Sequence, residues 1–284
     1  MQLLRLGAPG SERPAVRTDD GTTYDLSPVT ADVDGPFLAA DGIARARAAL
    51  AAGTLPVLDP DGLRVGPPVA GVGKIVCIGL NYRDHAEETG AAIPAEPVVF
   101  LKTPDTIVGP YDEVLVPRNS VKTDWEVELG VVIGRTARYL ETNEEALDCV
   151  AGYTVSHDVS EREFQIERGG QWDKGKNCET FNPLGPFLVP AADVPDPQAL
   201  GLRLSVNGTT RQDSSTKHMI FPVAEVIRYL SWFLVLRPGD LVNTGTPAGV
   251  ALGQPEPKPY LRAGDVVELS IDGLGTQRQT FGQA

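Results

Sequence analysis

Twenty-four prolines and 30 glycines are scattered through all 284 residues, so no stretch runs far before a chain-breaking residue interrupts it. Proline removes a main-chain donor and glycine weakens the interior of helices and strands, so the spacing predicts many short elements joined by turns. The apolar pattern agrees. Residues 74–78 read as a short buried strand, followed by a helix that Asn81 can cap and Gly90 can stop. Residues 125–133 alternate, with Val127, Leu129, Val131 and Ile133 on one face and Glu126 and Glu128 on the other. Residues 152–158 form another strand, and Ser160 with Glu163 makes a capping box that opens a helix to about Arg168. Residues 222–234 carry a helical apolar period. Two late echoes, Leu236-Arg-Pro-Gly-Asp-Leu-Val242 and Leu261-Arg-Ala-Gly-Asp-Val-Val267, each read as a tight turn feeding a strand. The sum is a strand-rich α+β chain without regular βαβ alternation.

The first 70 residues have a different texture. Asp20-Gly21 marks a hairpin turn between residues 15–18 and 22–26. Asp41 can cap an alanine-rich helix over residues 43–52 that Gly53 closes, and prolines 56, 60, 67 and 68 then make an extended connector. Residues 1–70 therefore read as a small N-terminal domain and 71–284 as a second, chemistry-bearing one.

Charge and composition exclude several function classes. Lys plus Arg number 25 and Asp plus Glu 38, a net charge of −13, which argues against binding a nucleic-acid backbone. No window approaches a membrane span, and the N-terminus has no apolar core of a secretory signal. Three cysteines without Cys-x-x-Cys spacing make a disulfide framework or thiolate zinc site unexpected and fit a reducing cytoplasm.

The candidate chemistry is carboxylate chemistry. Glu126 and Glu128 lie about 6–7 Å apart on one strand face, where two carboxylates repel unless water or a cation screens them. Oxygen ligands alone suit Mg²⁺, Ca²⁺ or Mn²⁺, although a lone Glu-x-Glu reads first as a solvated face, a reading that the preceding Trp125 and the following apolar run weaken here. Asp158, at a strand end, is either a turn cap or the third carboxylate of such a site. His85 and Glu88, three apart on a helix, share a face, and the carboxylate would orient the imidazole as a base for water; a surface pair is the plain alternative. His157 has no such partner and reads as structural, while His218 sits in a polar loop. Lys176 and Gln165 flank a glycine-rich, charged stretch that is either a surface loop or an anion contact, and Thr246 with its neighbouring main-chain N–H groups can cradle a carboxylate.

Taken in order, Gly79-Leu-Asn-Tyr-Arg-Asp-His85-x-x-Glu88, Val99-Phe-Leu-Lys102, Glu126-Val-Glu128, Asp158 with Gln165, Lys176, Met219-Ile-Phe221, Pro238-Gly-Asp240 and Thr244-Gly-Thr-Pro247 resemble the fumarylacetoacetate hydrolase superfamily over residues 74–281. The resemblance implies a mixed β-roll catalytic domain, one Mg²⁺ or Mn²⁺, and a homodimer. It implies Glu126, Glu128 and Asp158 as metal ligands, His85, Glu88 and Lys176 as catalytic, and Lys102, Gln165, Thr246 and Tyr82 as substrate-binding. The founding hydrolase has a fourth carboxylate before the histidine, which residues 79–82 lack, so three ligands are expected. Many relatives acting on small dianions carry Arg where this chain has Leu80, which favours a less charged substrate.

Residues 167–197 further resemble bacterial 2,4-diketo-3-deoxy-L-fuconate or L-rhamnonate hydrolases, whose relatives often carry a ureidoglycolate lyase label. The implied reaction is hydrolysis of the C3–C4 bond of a sugar-derived 2,4-diketo acid to pyruvate and a carboxylic acid. A decarboxylase or keto–enol tautomerase on the same site, and a catalytically inactive binding protein, are the alternatives.

Overall fold

The computed structural model describes residues 1–284 and is strand-rich with few helices. A mixed six-stranded sheet forms its centre. In spatial order the strands are Val189–Pro190, Val150–His157, Val127–Ile133, Leu241–Asn243, Ile75–Gly79 and Val98–Lys102. Leu241–Asn243 pairs in parallel with Ile75–Gly79, and its other neighbour, Val127–Ile133, runs antiparallel. A five-stranded sheet, ordered Thr209–Ser215, Gly201–Val206, Val266–Ile271, Gly275–Gln283 and Val114–Val116, completes the roll. Every residue of Val127–Ile133 is buried, as expected for a central strand covered on both faces.

Alternation divides the core into two clusters. Val127, Leu129, Val131 and Ile133 face one way, into the larger cluster with Val226, Ile227 and Leu230 of the helix Val223–Leu230. Val132 faces the other way, packing with Leu3, Val16 and Phe37 from the N-terminal segment and with Ile75, Cys77 and Phe100. Glu126 and Glu128 share the side of Val132 because side chains repeat every second residue. The N-terminal strands Gln2–Leu6, Arg13–Arg17 and Thr23–Asp25 form their own antiparallel sheet, joined to the rest by reciprocal main-chain bonds of 2.9 Å between Leu3 and Leu188.

The two sequence echoes fold alike. Asp240 and Asp265 each accept the main-chain N–H of the arginine three residues earlier, Arg237 at 2.6 Å and Arg262 at 2.7 Å. Each turn then feeds a strand.

Several local expectations are corrected. Asp41 precedes the helix Gly42–Ala51, but its left-handed backbone (φ 50°) leaves its side chain without a cap bond. Asn81 does not cap the helix Arg83–Thr89; its buried amide instead bonds Phe221 and the Thr244 carbonyl. Ser160 makes no capping box: its hydroxyl donates to the Asp158 carbonyl, and Glu163–Glu167 forms a π-turn. The capping box that does form joins Thr142 to Glu145. The helix at 222–234 ends at Leu230, because Ser231 and Trp232 turn to bond the main chain of Leu140.

Candidate active site

Strand register assembles the carboxylates. Ser156 stands opposite Glu128, and the Asp158 N–H donates to the Glu126 carbonyl at 3.0 Å, so Asp158 faces Glu126 across the ladder. Glu126, Glu128 and Asp158 are all buried, and one oxygen from each lies within 4.8 Å of the others. Glu128 has one donor, the Gly245 N–H at 2.8 Å. Burial, with Asp158 and Glu126 beside it, pushes its carboxyl well above the usual range. Glu126 is buried too, but Lys176 and Arg162 hold it below that range. Lys176 Nζ bridges Glu126 Oε2 at 2.7 Å and Asp158 Oδ2 at 2.8 Å; burial works against its charge, but those carboxylates keep it an ammonium well above its ordinary pKa. An all-oxygen set with one uncompensated acid suits a hard divalent cation, which would supply the missing positive charge.

His85 lies on the helix Arg83–Thr89 at the edge of the same cavity. Its Nδ1 has no hydrogen-bond partner and sits 3.6 Å from Glu88 Oε2. Glu88 is anchored by the Gly249 N–H, which meets both carboxylate oxygens at 3.1 and 3.0 Å. Gly253 makes room for it: a Cβ there would fall 2.2 Å from the Glu88 carboxyl carbon. The pair is thus positioned, with its contact longer than a hydrogen bond, as catalytic pairs often are before substrate arrives.

Residues 74–282 match the family model described as fumarylacetoacetate (FAA) hydrolase C-terminal. The chain belongs to this family. A Burkholderia multivorans relative with only a provisional hydrolase name is 52% identical over 279 residues, 98% of each chain. The fumarylacetoacetate hydrolase of psychrophilic Exiguobacterium antarcticum is 33% identical with a TM-score of 0.85, each chain covered completely. A maleylpyruvate hydrolase of Sphingobium sp. SYK-6, solved with manganese(II) and pyruvate, is 26% identical with a TM-score of 0.81, again over both whole chains.

Among the residues expected from this family, Glu126, Glu128, His85, Gln165, Lys176 and Thr246 line one cavity. Asp158 lies directly behind them, fully buried. Lys102 does not reach the cavity: its Nζ donates to Asp158 Oδ1 at 2.5 Å and to the carbonyls of Phe181 and Val159 at 2.6 and 3.3 Å. It holds the Asp158 carboxylate in place. Tyr82 does not line the cavity: it is wholly buried in the larger apolar cluster, with its hydroxyl unpartnered. His157 is buried beside Phe281, with burial pulling its pKa down to about 4, which keeps it neutral and structural.

The residue that sequence reasoning missed is Arg162. It lines the cavity, donates to Asp124 Oδ2 at 2.8 Å and Gln165 Oε1 at 3.0 Å, and pairs with Glu126 at 2.7 Å. Asp124 in turn accepts the N–H groups of Trp125, Ala251 and Leu252. The available signal was an acid and a base flanking the motif, Asp124 two residues before Glu126 and Arg162 four after Asp158.

Proposed function

We propose that this protein hydrolyses the C3–C4 bond of an acylpyruvate, a 2,4-diketo acid, to pyruvate and a carboxylic acid. The observation that carries the reading is the juxtaposition, in one cavity, of the buried oxygen cluster and a positioned histidine–glutamate pair. Glu126, Glu128 and Asp158 would hold Mg²⁺ or Mn²⁺. When bound, that ion supplies Lewis-acid stabilisation of negative charge on the pyruvate half. Arg162 and Lys176, held as cations by their carboxylate partners, add positive potential along the same wall.

His85 does the proton work. Its Nδ1 faces Glu88, which leaves Nε2 to take a proton from water. The water oxygen bonds to C4, the C3–C4 bond breaks, and its electron pair passes to the pyruvate enolate, which is then protonated at C3. Glu88 stabilises the imidazolium formed in the first step. A relative solved with manganese(II) and pyruvate supports this substrate class. The buried, unpaired Cys77 and Cys149 support a reducing, cytoplasmic setting.

His85→Gln is expected to lower kcat for pyruvate release about 10²–10⁴-fold with a smaller change in KM, the usual size for loss of a general base. A coupled lactate dehydrogenase assay on acetylpyruvate reads this. Full activity in His85→Gln would remove His85 from the chemistry.

A further inference from the structure

We infer that the acyl half of the substrate is apolar and that Trp172 selects it, an inference that rests on the acylpyruvate reading above. The cavity has a volume of about 200 Å³ and changes character between floor and mouth. Its charged and amide groups, including Glu126, Glu128, Arg162 and Gln165, are all buried. Its partly or fully exposed lining is apolar at Leu80, Ile166, Trp172 and Leu252. A polar floor fixes orientation, while apolar walls take the remainder of a ligand.

An aromatic wall joins the two zones. Lys176 Nζ stands 5.0 Å from the centroid of the Phe100 ring. Phe100 in turn meets Trp172 edge-on, with centroids 5.5 Å apart and planes at 65°. Gly79 makes the seat for the indole: a Cβ at this position would fall 2.4 Å from Trp172 Cζ3. The wall therefore starts at the ammonium beside the carboxylates and ends at a partly exposed indole.

Several of the polar groups along the route are already engaged. Thr89 is the one partly exposed polar side chain in the lining, and its hydroxyl donates to the His85 carbonyl at 2.8 Å. Thr246 Oγ1 donates to the Val127 carbonyl at 2.9 Å and accepts from Gln212 Nε2 at 2.8 Å. Gln165 Oε1 accepts from Arg162. A polyhydroxylated, sugar-derived acyl group would give up water here for few partners, and unpaired buried hydroxyls are costly. An alkyl or aryl acyl group would instead bury its surface against Trp172, Ile166 and Leu252.

The test compares kcat/KM for pyruvate release from acetylpyruvate, benzoylpyruvate and 2,4-diketo-3-deoxy-L-fuconate, using the full chain with Mg²⁺. Benzoylpyruvate is expected to exceed the fuconate compound roughly tenfold or more. Trp172→Ala and the surface-facing Ile166→Ser should each reduce that ratio several-fold, mainly through KM. Benzoate should inhibit acetylpyruvate hydrolysis more strongly than acetate in the parent and lose that advantage in Trp172→Ala. Pyruvate release that favours the fuconate compound, or a ratio unmoved by both variants, overturns the apolar subsite while leaving acylpyruvate hydrolysis standing. No release from any of the three overturns both.

Discussion

Glu128→Gln is expected to lower pyruvate release by about 10³-fold or more while leaving the metal-free protein at least as stable as its parent. The two effects diverge because Glu128 is the acid of the cluster without a cationic partner. Its carboxyl is pushed up by burial and by Asp158 and Glu126, and its one donor, the Gly245 N–H, can bond a Gln oxygen equally well. The sign of the pH effect follows. A carboxyl whose folded pKa lies above its ordinary 4.5 loses stability as pH rises through that interval. The metal-free parent should therefore weaken as pH rises above about 4.5 relative to Glu128→Gln.

Glu126→Gln is the informative contrast. It removes the carboxylate that pairs with both Arg162 and Lys176, leaving each buried cation with one carboxylate partner where it had two, at a cost of about 3 kcal/mol. Added Mg²⁺ should raise the melting temperature of the parent, by linkage, and leave that of Glu128→Gln nearly unmoved. Thermal melts with and without Mg²⁺ read all three proteins. Equal destabilisation of the metal-free protein by Glu126→Gln and Glu128→Gln would contradict this assignment of charges.

Lys102→Met should destabilise the fold by about 3–5 kcal/mol, because it strips a fully buried Asp158 of one of its two ammonium partners. A substrate-contacting lysine would instead raise KM in a protein of unchanged stability. Denaturant unfolding together with steady-state kinetics separates these outcomes. An unchanged unfolding midpoint with a raised KM would return Lys102 to the cavity.

Lys102 also shows where sequence reading stops. Phe100 and Lys102 are buried in the strand Val98–Lys102 while Val99 and Leu101 are exposed, an alternation that the apolar run at 98–101 hides in the sequence. Nor can the sequence show depth: whether an inward lysine ends in a cavity or behind it depends on which carbonyls lie within reach. The strands and the paired face of Glu126 and Glu128 were legible because period two survives translation into three dimensions. So was the Asp240 and Asp265 turn chemistry, which is local. Arg162 was not legible, since its partner Asp124 is 38 residues away and only the antiparallel bridge of Ser160–Glu161 to Thr123–Asp124 brings them together. The Ser160 capping box failed for a related reason. Arg162, just before the π-turn at Glu163–Glu167, and Gln165 within it both bury their side chains in the site, a tertiary demand that overrides a local cap preference. Tyr82, just before the helix Arg83–Thr89, was drawn inward by its ring.

The most direct test is to incubate acetylpyruvate with the Mg²⁺-loaded protein in H₂¹⁸O and analyse both products. Hydrolysis at this site gives equimolar pyruvate and acetate, with one solvent ¹⁸O in the acetate carboxylate. Pyruvate formed without label in acetate, carbon dioxide released in its place, or no pyruvate from any acylpyruvate would contradict C3–C4 hydrolysis by this histidine–carboxylate site.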